Sequence, residues 1–174
     1  PNKILASTIW TKYADNPIIK IGDTGKWDES YIYAGYVIKD GSVYKMWYSG
    51  ADNSGREQVG YATSIDGIIW VKHANNPVLQ TGLSSEWDSY IASRVSVLFD
   101  GTKYQMWYSG NTGVVSDEHW KIGYATSIDG VNWDKYENNP VLTVSESGWD
   151  DKGVGGPEVI KINDTYHMWY SAIS

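Results

Sequence analysis

Apolar and polar side chains alternate along this chain in short runs, and no stretch carries a helical period. Residues 31–39 form a β-rich run that stops at Asp40-Gly41, a dipeptide suited to a hairpin. Residues 43–49 follow, with Tyr44, Met46 and Tyr48 on one face and Val43, Lys45 and Trp47 on the other. A polar loop leads to residues 58–64, the Asp66-Gly67 turn and residues 68–73, and Asn76-Pro77 ends that run before Val78-Leu79. The pattern predicts four short strands joined by hairpins.

The same pattern then recurs. Trp10, Trp70 and Trp133 form one matched set, Trp27, Trp87 and Trp149 a second, and Trp47, Trp107 and Trp169 a third, with Trp120 outside them. Trp47 and Trp107 lie 60 residues apart, Trp107 and Trp169 62. Met46-Trp47-Tyr48-Ser49-Gly50 returns at 106–110 and, with a final Ala172, at 168–172; the segment 60–67 returns unchanged at 123–130. A fixed period of this size marks stacked supersecondary units that need neighbours to cover their apolar faces. Four-stranded antiparallel units in tandem are propeller blades, so the expected fold is an all-β β-propeller. Its expected organisation is a single propeller domain or half-domain, with repeats at about 15–74, 75–137 and 138–174 plus 1–14.

A Trp buries roughly 150–250 Å², so indoles recurring in register are expected to pack the core and the spaces between blades. Asp28, Asp88 and Asp150, each directly after a repeated Trp, are expected to cap turns or bind backbone N–H groups. Asp66 and Asp129 carry the same expectation within their hairpins.

About three blades do not close a ring that ordinarily has four to eight. The last repeat holds two strands, and residues 3–17 read as a shortened copy of 121–140, the second half of a blade. One expectation is a homodimer in which these halves complete each other, giving a closed six-bladed ring. The rival is a piece of a longer, five-bladed protein, favoured by a start at Pro1.

Composition narrows the chemistry. Fourteen basic against 21 acidic residues give a net charge of −7, which disfavours nucleic acid and anionic membranes as partners. The absence of cysteine removes thiol nucleophiles and Cys-ligated metals, and fits any compartment, secretion included; localisation stays open. No apolar run approaches the ~18 residues of a membrane span. His73, His119 and His167 have no zinc-site spacing, Asp52-Asn53-Ser54-Gly55 lacks the rest of a calcium loop, and no phosphate-cradling glycine loop opens a helix. No metal and no cofactor is expected.

The Asn-Pro-Val-Leu…Trp-Asp segments, Gly153-Val154-Gly155-Gly156-Pro157 and the Tyr-x-Met-Trp-Tyr-Ser strands resemble the propeller superfamily of arabinanases, invertases and levansucrases. The resemblance implies sugar cleavage or transfer, with acids on the innermost strands facing a central funnel. At the positions where it implies an Asp stand Ala34, Arg94 and Gly156; where it implies a Glu stand Tyr33, Ser93 and Gly155. The usual catalytic set is missing on this register. Strict strand alternation would put Tyr36, Ser96 and Glu158 on the face of Ala34, Arg94 and Gly156. Glu158 then becomes the candidate catalytic acid, where glycoside hydrolysis ordinarily needs two carboxyls, and Arg94, Tyr33, Tyr36, Ser96 and Tyr31 become candidate substrate-binding residues. The 64–70 segment also resembles the structural Asp-box hairpin of sialidases, but with only Arg56 and Arg94 the chain lacks an arginine cluster. The expected function is a glycoside hydrolase-like propeller that binds or acts on carbohydrate. The alternative is a noncatalytic, self-assembling structural module.

Overall fold

A computed structural model describes residues 10–113 and 119–173. The residues before Trp10, most of the N-terminal half-repeat, lie outside the described part.

Among the described residues there is no helix, and the strands follow the repeat. The first unit comprises β1 (Tyr31–Asp40), β2 (Val43–Ala51), β3 (Glu57–Ser64) and β4 (Val71–Lys72). The second comprises β5 (Ile91–Phe99), β6 (Tyr104–Asn111), β7 (Lys121–Ser127) and β8 (Asp134–Lys135). The third holds β9 (Gly153–Ile162) and β10 (Thr165–Ile173). Pairing within each unit is antiparallel, from β1 to β4, from β5 to β8 and between β9 and β10. Units meet through single parallel bridges, Glu57 with Ile91 and Trp120 with Gly153. The architecture is all-β and propeller-like.

The fourth strands are shorter than the expected 68–73. Asp66 Oδ1 accepts the N–H groups of Ile68 and Ile69 at 2.8 Å each, which withdraws both residues from the ladder. Asp129 does the same for Val131 and Asn132. These two aspartates bind backbone N–H groups, as their hairpin sequences imply.

Two of the three buried clusters lie between units, and the third, Met46, Tyr48 and Ala62 with Trp27 and Trp70, lies within the first. Trp47, Val59, Leu79, Val97, Met106 and Tyr108 join the first unit to the second; Trp107, Ile122, Val154 and Val159 join the second to the third. The repeated indole records its neighbour: Trp47 is 0% exposed, Trp107 8% and Trp169 57%. Trp47 packs on Tyr61, Tyr104 and Trp133 and donates Nε1–H to the Gly130 carbonyl at 2.7 Å. Burying such a ring contributes about 4–6 kcal/mol, from roughly 150–250 Å² at ~25 cal/mol/Å².

Asp28, Asp88 and Asp150 are buried, and their carboxylates take side-chain partners instead of the expected backbone ones. Asp28 accepts Lys72 Nζ at 2.5 Å and Tyr48 OH at 3.3 Å; Asp88 accepts Lys135 Nζ at 2.6 Å and Tyr108 OH at 2.9 Å. Asn76 and Asn139 donate to those same tyrosine hydroxyls, at 3.1 and 3.4 Å. Each set ties the loop before the first strand to the outermost strand. For Asp28 and Asp88 the physical reason is burial, since a carboxylate out of water is stabilised by a charged partner, here a lysine. Asp150 accepts the Tyr170 hydroxyl at 3.3 Å.

Candidate functional site

The innermost strands β1, β5 and β9 carry a bulge at the same place. Tyr33 opposes Ser49 and Tyr36 opposes Trp47, so two residues of β1 face one of β2. Ser93 with Ser109 and Ser96 with Trp107 repeat this, as do Gly155 with Ser171 and Glu158 with Trp169. Alternation counted straight through this point therefore fails. Tyr31, Tyr33 and Tyr36 share one face, since their partners Ala51, Ser49 and Trp47 do, and Tyr31 and Tyr33 touch with ring centroids 5.1 Å apart.

The bulge is held from the preceding unit. Ser49 Oγ accepts the N–H of Arg94 at 2.9 Å, and Ser109 Oγ accepts that of Gly156 at 2.8 Å. The serine of the repeated Met-Trp-Tyr-Ser strand thus fixes the next unit's inner strand. Arg94 adopts a left-handed backbone, φ 53°, which a branched or bulky residue enters only at a cost. Gly156 matches it at φ 60°. In this posture the Arg94 side chain is exposed, with its guanidinium carbon 4.4 Å from the centre of the Trp120 ring and 5.7 Å from that of Tyr33. A cavity of about 110 Å³ opens beside it, lined by Arg94, Trp120, Gly153, Gly155, Gly156 and Ser171.

Glu57 is the residue that sequence reasoning missed. It sits in the first unit where Trp120 sits in the second, each at the parallel bridge to the following unit. It is 3% exposed and accepts Ser93 Oγ at 2.5 Å and Tyr31 OH at 3.4 Å. Burial, and then the Glu57 charge, push the Tyr31 phenol up to about 12. Superposing Trp120, the unmatched indole, on the first repeat would have pointed to this position.

The other candidates separate. Ser96 is fully buried, and its Oγ accepts the N–H of Val159 at 3.0 Å. Glu158, its equivalent in the third unit, is exposed. Tyr36 is partly buried, and its phenol is held above the ordinary range by burial and then by the Glu158 charge. A broader cleft of about 650 Å³, lined by His73, Gln80, Asp129 and Trp133 among others, lies at the outer strands, away from the bulges. Among the described residues no three His, Cys, Asp or Glu side chains converge as metal ligands.

No family model matches the chain. An uncharacterized protein of Mycobacterium tuberculosis is 29% identical over 164 residues, covering 90% of this chain and 52% of that protein. A β-1,2-mannobiose phosphorylase of Thermoanaerobacter is 31% identical over 110 residues, covering 56% of this chain and 35% of the enzyme. The chain spans about half the length of the first of these relatives and less of the second. Among solved structures, a glycoside hydrolase matches with TM-score 0.69 at 24% identity, covering 91% of this chain and 47% of its own. A family 117 glycoside hydrolase of the marine bacterium Zobellia galactanivorans matches with TM-score 0.71 at 15% identity, covering 88% and 52%. In fold, the chain resembles the β-propeller glycoside hydrolases, as its repeated strand motifs imply.

Proposed function

We propose that this chain supplies part of a carbohydrate-binding or carbohydrate-cleaving propeller whose sugar site lies at the bulged inner strands. The observation that carries the reading is the exposed Arg94 fork held against Trp120 and Tyr33 beside a small cavity. Aromatic faces with few convergent polar groups suit a sugar ring, and the relative named as a mannobiose phosphorylase acts on such a substrate. Tyr31, Tyr33 and Tyr36 supply the aromatic wall, Arg94 the polar anchor, and Glu158 the free acid. Glu57 has both oxygens engaged and serves the wall rather than proton transfer. The test is hydrolysis and phosphorolysis of aryl-glycosides and manno-oligosaccharides, together with glycan-array binding. Turnover lost in Glu158→Gln supports an enzyme. Binding without turnover supports a recognition module. Silence in both overturns the reading.

A second reading, self-assembly into a closed ring, rests on a different observation. Trp70, Lys72 and Asn76 have the spacing of Trp133, Lys135 and Asn139, and Trp10, Lys12 and Asn16 share it. The first two sets serve Asp28 with Tyr48 and Asp88 with Tyr108; Asp150 with Tyr170 has no such lysine or asparagine among the described residues. Trp10 is 95% exposed, and among the described residues Asn16 donates to the Tyr13 carbonyl alone. In this reading residues 10–17 of a second copy complete the third unit, with Lys12 on Asp150 and Asn16 on Tyr170. Sedimentation velocity decides: a dimer dispersed by Lys12→Met supports it, and a well-behaved monomer overturns it.

A further inference from the structure

We infer that the Arg94 cavity selects an acidic sugar, binding the carboxylate of a uronate residue; this rests on the carbohydrate reading above and goes beyond it by naming the substrate class. The cation is built in rather than incidental. Its backbone occupies the left-handed region at φ 53°, held there by the Ser49 hydroxyl, and its guanidinium lies against Trp120 and Tyr33. The Arg94 side chain is exposed, and a guanidinium presents its N–H groups as a fork matched to a planar carboxylate. Among the described residues no carboxylate pairs with Arg94; the ion pairs there join Lys45 to Asp40, Lys72 to Asp28, Lys135 to Asp88 and Lys161 to Asp164.

The rest of the cavity fits the same ligand. Gly153, Gly155 and Gly156 leave the wall without side chains, so a ligand can approach the backbone closely, and Ser171 adds a hydroxyl. A volume of about 110 Å³ takes one substituent of a sugar ring rather than the whole ring. The ring itself then rests outside, where Tyr33 is exposed. The net charge of −7 opposes long-range attraction of an anion, yet screening confines that field to ~8 Å at physiological salt. Recognition is therefore short-range and geometric.

Isothermal titration calorimetry of the whole chain, with oligogalacturonate, the matching neutral oligogalactoside and inorganic phosphate as probes, tests this. The expected result is tighter binding of the uronate than of the neutral sugar, by on the order of tenfold or more. Arg94→Ala is expected to abolish the difference. Arg94→Lys, which keeps the charge but loses the fork, is expected to lose most of it. Arg94 is exposed and both variants keep a side chain at φ 53°, so folding is unchanged, which far-ultraviolet circular dichroism checks. Equal binding of acidic and neutral sugars, unchanged by Arg94→Ala, overturns the inference and leaves the carbohydrate reading standing. Phosphate bound as tightly as uronate and lost in Arg94→Ala overturns the acidic-sugar assignment in favour of a free oxyanion. No binding of either sugar overturns the acidic-sugar inference and leaves the carbohydrate reading to the mannoside and glycan-array tests above.

Discussion

Ser93 donates its hydroxyl to Glu57 at 2.5 Å, across the boundary between the first and second units. The bond joins the start of a third strand to the innermost strand of the next unit, next to the bulge that presents Arg94. Replacing Glu57 by Leu is expected to leave the Ser93 and Tyr31 hydroxyls without their acceptor, at about 1–3 kcal/mol. Glu57→Gln keeps an acceptor oxygen and is expected to cost less. Urea denaturation of the two variants checks the order.

The Asp88 latch gives a second expectation. Lys135→Met leaves a carboxylate that is 2% exposed with only the Tyr108 hydroxyl as partner. A loss of about 1–3 kcal/mol is expected, and Asp88→Asn in the same background should recover part of it because the uncompensated charge is gone. The double-mutant cycle by chemical denaturation measures this.

Alkaline pH is expected to weaken the fold. The Tyr31 phenol is raised from 10.0 to about 12, by burial first and the Glu57 charge second. The folded chain thus holds this proton more tightly than the unfolded one. Its stabilising share is complete below about pH 10 and is lost as pH climbs through about 12. Tyr48 and Tyr108 are raised as well, by burial and then by the charges of Asp28 and Asp88, so the loss continues above that window. Urea midpoints at about pH 8 and about pH 11 should fall accordingly, and the fall should shrink in Tyr31→Phe. A flat profile would contradict the assignment.

Gly123→Ala is expected to destabilise by about 1–3 kcal/mol through overpacking. A Cβ there would stand 2.6 Å from the Tyr108 ring and 2.8 Å from Trp87. Gly60 has the same relation to Tyr48, at 2.5 Å, so the paired variant tests whether the two units respond alike. Thermal melts of both single variants give the comparison.

Strand positions and the interunit packing of Trp47 and Trp107 were legible because period-two alternation and a sixty-residue repeat are properties of the sequence itself. The same register also implied packing for Trp10, Trp149 and Trp169, which are exposed. The bulges were not legible. Nothing in Ser93-Arg94-Val95-Ser96 announces that two residues will oppose one, and that single offset moved Tyr36 onto the face of Tyr33. Glu57 escaped for a related reason: its partners Tyr31 and Ser93 lie 26 and 36 residues away, on strands brought together only by folding. The Asp28 and Asp88 series was rightly read as structural, but its lysine partners lie 44 and 47 residues downstream, beyond any local turn rule. Arg94 was legible as a residue, and its left-handed posture was not.

The polar latch and the apolar face answer different questions. Lys72 with Asp28 and Lys135 with Asp88 are satisfied wholly within one copy of the repeat, whereas the cover over Trp47 and Trp107 is completed by the copy that follows. A gene segment duplicated whole would arrive with its fastening already in place, needing nothing from its surroundings except a matching flank. Lengthening or shortening such an array then demands no redesign of any module, only compatibility at the seams.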